Sequence, residues 1–359
     1  MSPSPDRPLP LASDAFVLLV SDRPTERAAL ARAIAFVTAC RAHAPGESPA
    51  RGRPVLAVLD LAPVALADWT RRLDVFNPAV PRIVLARGEG VKRDANTVVL
   101  PAGASREVIL TKTFALIEAA SRAAAARARR LTERAQAARS IVTDLFDSAA
   151  LGGTLAPADV DRGTETVLAA VSDAGISAWL AELWRHDAGV YEHTLSVAGL
   201  CAAFGGRIGL SRTDLARLAR ASLLHDLGKA RIPKEILDKP GRLDVNELRL
   251  MRRHPEIGAS LLIAQGGFDD EVIDVVRHHH ERIDGTGYPD RLKGKQISDL
   301  VRIVAICDVF SALTERRAYR QPARPAEALA IMVEMQGHLD QALLSAFAPS
   351  MLACEPYIT

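Results

Sequence analysis

The sequence predicts two domains of different class: an α/β domain with a parallel sheet and helices on both faces, then an all-α helical bundle. Three observations carry this. At 359 residues the chain exceeds what one ordinary core holds. Short apolar runs alternate with helical patterns only in the first third, which implies parallel strands joined by helices. From Val160 onward the periodicity is helical throughout.

Composition sets the broad class. Hydrophobic residues make up 48% and charged residues 25%, which suits a globular protein with a sizeable core and excludes disorder or fibre. No apolar run reaches the roughly 18 residues that span a bilayer. Met1–Pro10 is proline-rich and lacks the apolar segment of an export signal. The reading is therefore a cytoplasmic protein without a membrane partner. Cys40, Cys201, Cys307 and Cys354 form no CxxC pair, so they read as small hydrophobes rather than a disulfide frame or zinc site.

Charge and histidine are skewed between the halves. Residues 1–140 carry 21 Lys and Arg against 13 Asp and Glu, whereas residues 141–359 carry 24 against 30. Only His43 lies in the first half, and the other eight histidines lie between His186 and His338. An acidic, histidine-rich half repels polymeric nucleic acid and points to bound cations. The basic half lacks the aromatic interleaving of a nucleic-acid groove.

In the first domain, assigned to residues 14–120 after a tail at 1–13, strands are predicted at Phe16–Val20, Val55–Leu59, Arg82–Leu85 and Thr97–Leu100. Helices are predicted at Thr25–Ala35, around Trp69–Phe76 and at Ser105–Ala120. Asp60 ends the second strand and Asp22 follows the first. This segment resembles a response-regulator receiver domain, whose aspartate at the position of Asp60 accepts a phosphoryl group. It departs from that pattern where the chemistry needs it. Ser21 replaces one member of the acidic pair, Ala86 stands near the hydroxyl position, and Leu100 precedes Pro101 where a lysine belongs. Without those groups an acyl-phosphate lacks its neutralising neighbours. The reading is a degenerate receiver-like domain used for docking a protein partner, with Asp60 a doubtful phosphoacceptor.

Ser105–Asp147 is rich in Ala, Arg, Glu and Leu without Pro or Gly, a strong helix composition. Residues 121–152 read as a signalling helix through which a homodimer could form. The second domain is assigned to residues 153–359. Ser211 with Asp214 and Asp244 with Glu247 are capping-box starts, the second for a helix carrying His254. Asp269 caps a helix carrying His278, His279 and His280, and Ser298 begins another. On that last helix Asp308 shares a face with Val301, Val304 and Ala305, so a carboxylate stands where an apolar residue is expected. Its burial calls for a cation.

His193, His225, Asp226, His254, His279, His280 and Asp308 together offer five imidazoles and two carboxylates. That set exceeds the needs of one tetrahedral zinc and suits two octahedral ions such as iron or manganese. The motifs YEHTLSV, LLHDLGKARIPKEILDKPG, MRRHPEIG, HHERIDGTGYP and RIVAICDVFSALT occur in that order. On them, residues 155–350 closely resemble the HD-GYP family, a branch of the HD metallohydrolases.

The resemblance implies a helical bundle that binds iron or manganese and hydrolyses cyclic di-GMP to the linear dinucleotide or to GMP. It makes His193, His225, Asp226 and Asp308 the basic metal set. His254, His279 and His280 complete a second ion, bridged by Asp226. Two ions about 3.5–4 Å apart stabilise the attacking and leaving oxygens of a phosphodiester. Lys229, one turn beyond His225, is placed to neutralise a phosphate oxygen. Gly285, Gly287, Tyr288 and Pro289 form the loop that walls the substrate. Arg317 and Arg320 match the basic pair for the phosphates, with Ala318 in place of the usual proline. Glu281 and Asp284 are expected to orient the ligands. Some family members hold a third ion through a glutamate four residues before the first histidine. Here that position is Gly189, and Asp187 is the nearest carboxylate, so two ions are expected. The rival readings are a non-catalytic scaffold and a hydrolase of another cyclic dinucleotide such as cyclic GMP-AMP.

Overall fold

The computed structural model describes residues 15–47, 53–76, 80–88, 91, 94–185, 189–315 and 321–352. The chain divides into two compact units at Ala126/Arg127.

The first unit is built on five parallel strands in the order β2-β1-β3-β4-β5: β1 (Ala15–Ser21), β2 (Cys40–His43), β3 (Arg53–Asp60), β4 (Arg82–Ala86) and β5 (Thr97–Pro101). Every residue of β1 is buried, as a central strand covered on both faces must be. Alternate residues serve opposite faces. Phe16, Leu18 and Val20 pack with Trp69 and Leu73 of α2 (Pro63–Phe76). Val17 and Leu19 pack with Leu30 and Ile34 of α1 (Pro24–Ala35) and with Ile109 of α3 (Arg106–Leu151). The edge strand β2 is absent from the sequence reading. Its segment, Cys-Arg-Ala-His, has half-buried ends, an exposed middle and no apolar run, and its pairing with β1 makes it a strand.

The second unit is helical among the described residues. After α3 come α4 (Pro157–Ala174), α5 (Ile176–Leu183), α6 (Val190–Arg207), α7 (Arg212–Leu224), α8 (Lys234–Leu237), α9 (Val245–Met251) and α10 (His254–Gln265). Then follow α11 (Asp270–His278), α12 (Asp299–Thr314), α13 (Pro325–Val333) and α14 (Gln341–Leu352). The segment read as a linker helix also supplies core: Leu131, Ala135, Ala138, Val142 and Leu145 of α3 are buried with α4 to α7 and α12. Their three- and four-residue spacing is the inward stripe of an amphipathic helix. Among the described residues no single helix is long and apolar enough to cross a membrane.

Two helix assignments differ from expectation at the functional residues. The predicted capping box forms, with Asp244 accepting from the Asn246 and Glu247 amides, but α9 stops at Met251 and His254 opens a new helix. Pro255 is the reason: lacking an N–H, it suits a first helical turn and not an interior. Similarly α11 ends at His278, so that His279 is its cap and His280 lies beyond. Neighbours on a regular helix point about 100° apart, and leaving the helix lets two consecutive histidines serve one site.

A candidate metal centre

The seven residues singled out from the sequence converge. His193 lies in the first turn of α6, His225 caps α7, and Asp226 precedes the 3₁₀ turn Leu227–Arg231. His254 begins α10, His279 and His280 follow α11, and Asp308 lies in the third turn of α12. Six of them are at most 9% exposed, and His280 is half-buried.

The Asp226 carboxylate stands between two groups. Its Oδ1 is 3.2 Å from His254 Nε2 and 3.9 Å from His279 Nε2. Its Oδ2 is 3.4 Å from His225 Nε2 and 3.8 Å from His193 Nε2. One triad, His254, His279 and His280, can converge on a single ion, and so can a second, His193, His225 and Asp308. His193 Nε2 lies 2.9 Å from Asp308 Oδ1, and His280 Nδ1 lies 3.9 Å from Asp308 Oδ2.

Hydrogen bonding fixes which nitrogens face the centre. The Nδ1–H groups of His225, His254 and His279 donate to the carbonyls of Ser222, Met251 and Val276 at 2.7, 2.8 and 3.0 Å. Each Nε2 is then a lone pair aimed inward. His254 and His279 bring two such lone pairs within 3.2 Å, and His225 Nε2 is buried without a hydrogen-bond partner. Opposed lone pairs and a carboxylate repel unless a cation lies between them, so the donor set fits divalent metal ions. Burial, helped by the neighbouring imidazoles, holds His279 well below its usual pKa, and burial pushes His280 down to about 3. Both are therefore neutral, as ligands must be. Burial opposes charge on His193 too, but its bonds to Asp308 and Glu315 outweigh it and push this imidazole up to about 10 in the metal-free protein.

The remaining expected residues are placed as follows. Lys229 Nζ is 2.6 Å from Asp226 Oδ2 and partly exposed at the edge of the centre. The Tyr288 ring lies against His280, with centroids 4.9 Å apart, and the Arg252 guanidinium is 5.3 Å from the Tyr288 ring centroid. Gly285 adopts φ +81°, and at Gly287 a Cβ would fall 2.4 Å from the Arg282 nitrogen, so the loop closes only with glycine there. Pro289 follows Tyr288 through a cis peptide. Glu281 and Asp284 do not orient the histidines as expected. Glu281 accepts from the Asp290 and Leu292 amides, and Asp284 from the amide and hydroxyl of Thr286. Both shape the Tyr288 loop, while His225, His254 and His279 are held by backbone acceptors instead. Arg317, Arg320, His186 and Asp187 lie outside the described residues. His278 turns away, bonded to Asp274 and Asp290.

Sequence reasoning missed Glu315. It is 9% exposed, and its Oε2 lies 3.0 Å from His193 Nδ1. The available signal was its spacing: seven residues after Asp308, it falls on the same helical face.

In the first unit Asp60 is fully buried and already neutralised. The guanidinium of Arg23 donates to Oδ2 at 2.8 Å, Ser21 Oγ to Oδ2 at 3.0 Å, and Arg87 to Oδ1 and to the backbone oxygen. Arg87 also pairs with Asp22 at 2.6 Å. Two arginines thus hold the carboxylates that a divalent ion would need. Asp60 is expected to stay unlabelled by a small phosphodonor with Mg²⁺, measured by intact mass; stable labelling lost in Asp60→Ala would overturn this.

Residues 180–343 match the HD domain family. A cyclic di-GMP phosphodiesterase of Pseudomonas aeruginosa is 37% identical over 217 residues, covering 60% of this chain and 52% of the relative. A cyclic di-GMP phosphodiesterase response regulator of Xanthomonas campestris is 40% identical over 168 residues, 46% of this chain and 41% of its own. A 3'3'-cGAMP-specific phosphodiesterase of Vibrio cholerae is 40% identical over 131 residues, 36% of this chain and 25% of the relative. The chain thus spans about half or less of the length of these curated relatives. Among solved structures, an HDG"Y"P protein of Bdellovibrio bacteriovorus aligns with a TM-score of 0.49 and 20% identity, covering 60% of this chain and 69% of that one. Residues 180–343, which match the HD domain family, include the histidines gathered around Asp226, and the chain's sequence relatives include proteins named cyclic-dinucleotide phosphodiesterases.

Proposed function

We propose that this chain is a metal-dependent phosphodiesterase that hydrolyses a cyclic dinucleotide, with cyclic di-GMP as its substrate, in bacterial second-messenger signalling. The observation that carries the reading is the pair of ligand triads facing the two oxygens of one carboxylate, Asp226. His193, His225 and Asp308 would hold one divalent ion and His254, His279 and His280 the other, with Asp226 shared; iron or manganese suits this mixture. Ions bound there would supply Lewis acidity to the phosphodiester and to the water that cleaves it. Lys229 contributes an ammonium at the edge of the site for a phosphate oxygen. Tyr288 offers a ring face to a guanine, and Arg317 and Arg320 are assigned to the phosphates by their place in the motif. The first unit is read as a degenerate receiver-like docking domain for a protein partner, the α3 helix as a route to a homodimer, and the cytoplasm as the compartment.

Cyclic GMP-AMP is the competing substrate, favoured by the Vibrio relatives named for it. Turnover of cyclic di-GMP and 3'3'-cGAMP by the manganese- or iron-loaded full chain, followed as release of linear dinucleotide, decides between them. Faster cleavage of cyclic di-GMP is expected; turnover of neither by fully loaded protein would overturn the enzymatic reading in favour of a scaffold. The loaded chain is also expected to hold close to two ions. Gly189 caps α6 without offering a ligand, and a third cation lacking a carboxylate would be repelled by the first two. A reproducible count of three, by elemental analysis, would overturn that number.

A further inference from the structure

Four histidines of the centre present Nε2 inward, and three hold that orientation by the same device. His225, His254 and His279 each donate Nδ1–H to the carbonyl three residues back: Ser222, Met251 and Val276. Those carbonyls lie at the ends of α7, α9 and α11, where the last turn of a helix leaves its C=O groups without helical partners. His193 is denied this solution. It lies in the first turn of α6, where the unpaired groups are N–H donors and the carbonyls are taken up by the helix. An acceptor for its Nδ1–H must come from a side chain.

Glu315 fills that gap. It caps α12 at the opposite end from Ser298, and its carboxylate oxygen lies 3.0 Å from His193 Nδ1, both groups buried. Ser311 Oγ stands 3.4 Å from the same nitrogen as a weaker neighbour. The opposite nitrogen, Nε2, is thereby directed to Asp308 Oδ1 at 2.9 Å and to Asp226 Oδ2 at 3.8 Å. We propose that Glu315 is the positioning residue for His193, fixing the ring and its tautomer so that Nε2 ligates one ion of the centre. The arrangement is a carboxylate–histidine–metal relay, in which the outer carboxylate also makes the imidazole a stronger donor. Its bond to the far nitrogen of His193 places Glu315 to act through that histidine. This inference rests on the metal-binding reading given above.

The test is the affinity of the full chain for Mn²⁺, by competition with a calibrated chelator, in wild type and in Glu315→Ala, Glu315→Met and Glu315→Gln. Methionine keeps the volume and removes the acceptor; glutamine keeps an acceptor oxygen. The alanine and methionine variants are expected to lose roughly 10- to 100-fold in affinity for one of the two ions, the usual scale for such outer partners. Their metal-free circular-dichroism spectra should match wild type, which shows that the fold survives, and glutamine should recover most of the loss in affinity. Wild-type affinity in the methionine variant, or a glutamine variant as weak as methionine, overturns the proposal while leaving the metal site standing. A wild-type chain that bound no Mn²⁺ would remove the site and the proposal together.

Discussion

Replacing Asp226 with alanine will abolish hydrolysis and empty the metal centre while the helical fold survives. This carboxylate stands between the two triads, with Oδ1 3.2 Å from His254 Nε2 and Oδ2 3.4 Å from His225 Nε2. Its removal costs each ion a negative ligand and leaves five imidazoles to surround two cations with only Asp308 to offset them. Burial works against its charge, but the Lys229 ammonium at 2.6 Å holds its carboxyl well below the usual range, so it is ionised at any working pH. Turnover is expected to fall by about 10³-fold or more, the scale of losing a group that stabilises charge in the transition state. The helical circular-dichroism signal should persist, because Asp226 sits among polar groups and outside the apolar cluster of the bundle. Substitution by asparagine keeps the shape and removes the charge, and it should fail nearly as badly. Turnover near wild type in Asp226→Ala, with bound metal gone, would end the two-ion mechanism.

The ligand set was readable because its residues defy the local pattern. Asp308 breaks the apolar face of α12, and the histidines gather in one half of the chain. What escaped the sequence was how each ligand is held. The Ser222, Met251 and Val276 carbonyls carry no side-chain signature, since any residue at the end of a helix offers the same group. Glu315 was missed because its partner, His193, is 122 residues away. The break between α9 and α10 was legible in Pro255 and was passed over because the capping box before it is strong. In the first unit the strands with apolar runs could be read and β2 could not, for it is held by its pairing with β1 rather than by its composition. The Arg23 and Arg87 clamp on Asp60 likewise depends on three strand ends meeting, which no local window contains.

The glycine of the HDLGK motif explains why these ligands can meet at all, and Gly228→Ala should be the most damaging small substitution in the bundle. A Cβ at Gly228 would lie 1.9 Å from the His254 carbonyl oxygen and 2.6 Å from the Gly258 nitrogen. Both are backbone atoms of α10, so no rotamer change relieves the overlap; the helix itself must move. That movement carries His254 away from Asp226 Oδ1. It also disturbs Gly258, whose own missing Cβ leaves room for Val276 of α11 at 2.9 Å, and the Val276 carbonyl is the group that holds His279. Overpacking a core costs about 1–3 kcal/mol when side chains can adjust, and here they cannot, so the loss should reach or exceed the top of that range. Gly258→Ala should cost less, because its closest neighbour is a side-chain methyl. Gly206→Ala, in α6 with nothing within 4 Å of the new carbon, should instead stabilise by up to about 1 kcal/mol through helix propensity. Denaturant unfolding of the three variants, with Mn²⁺ affinity measured alongside, checks that order. If Gly228→Ala unfolds at the wild-type midpoint and binds Mn²⁺ normally, the 3₁₀ turn and α10 do not pack backbone to backbone, and the close approach that assembles the centre is wrong.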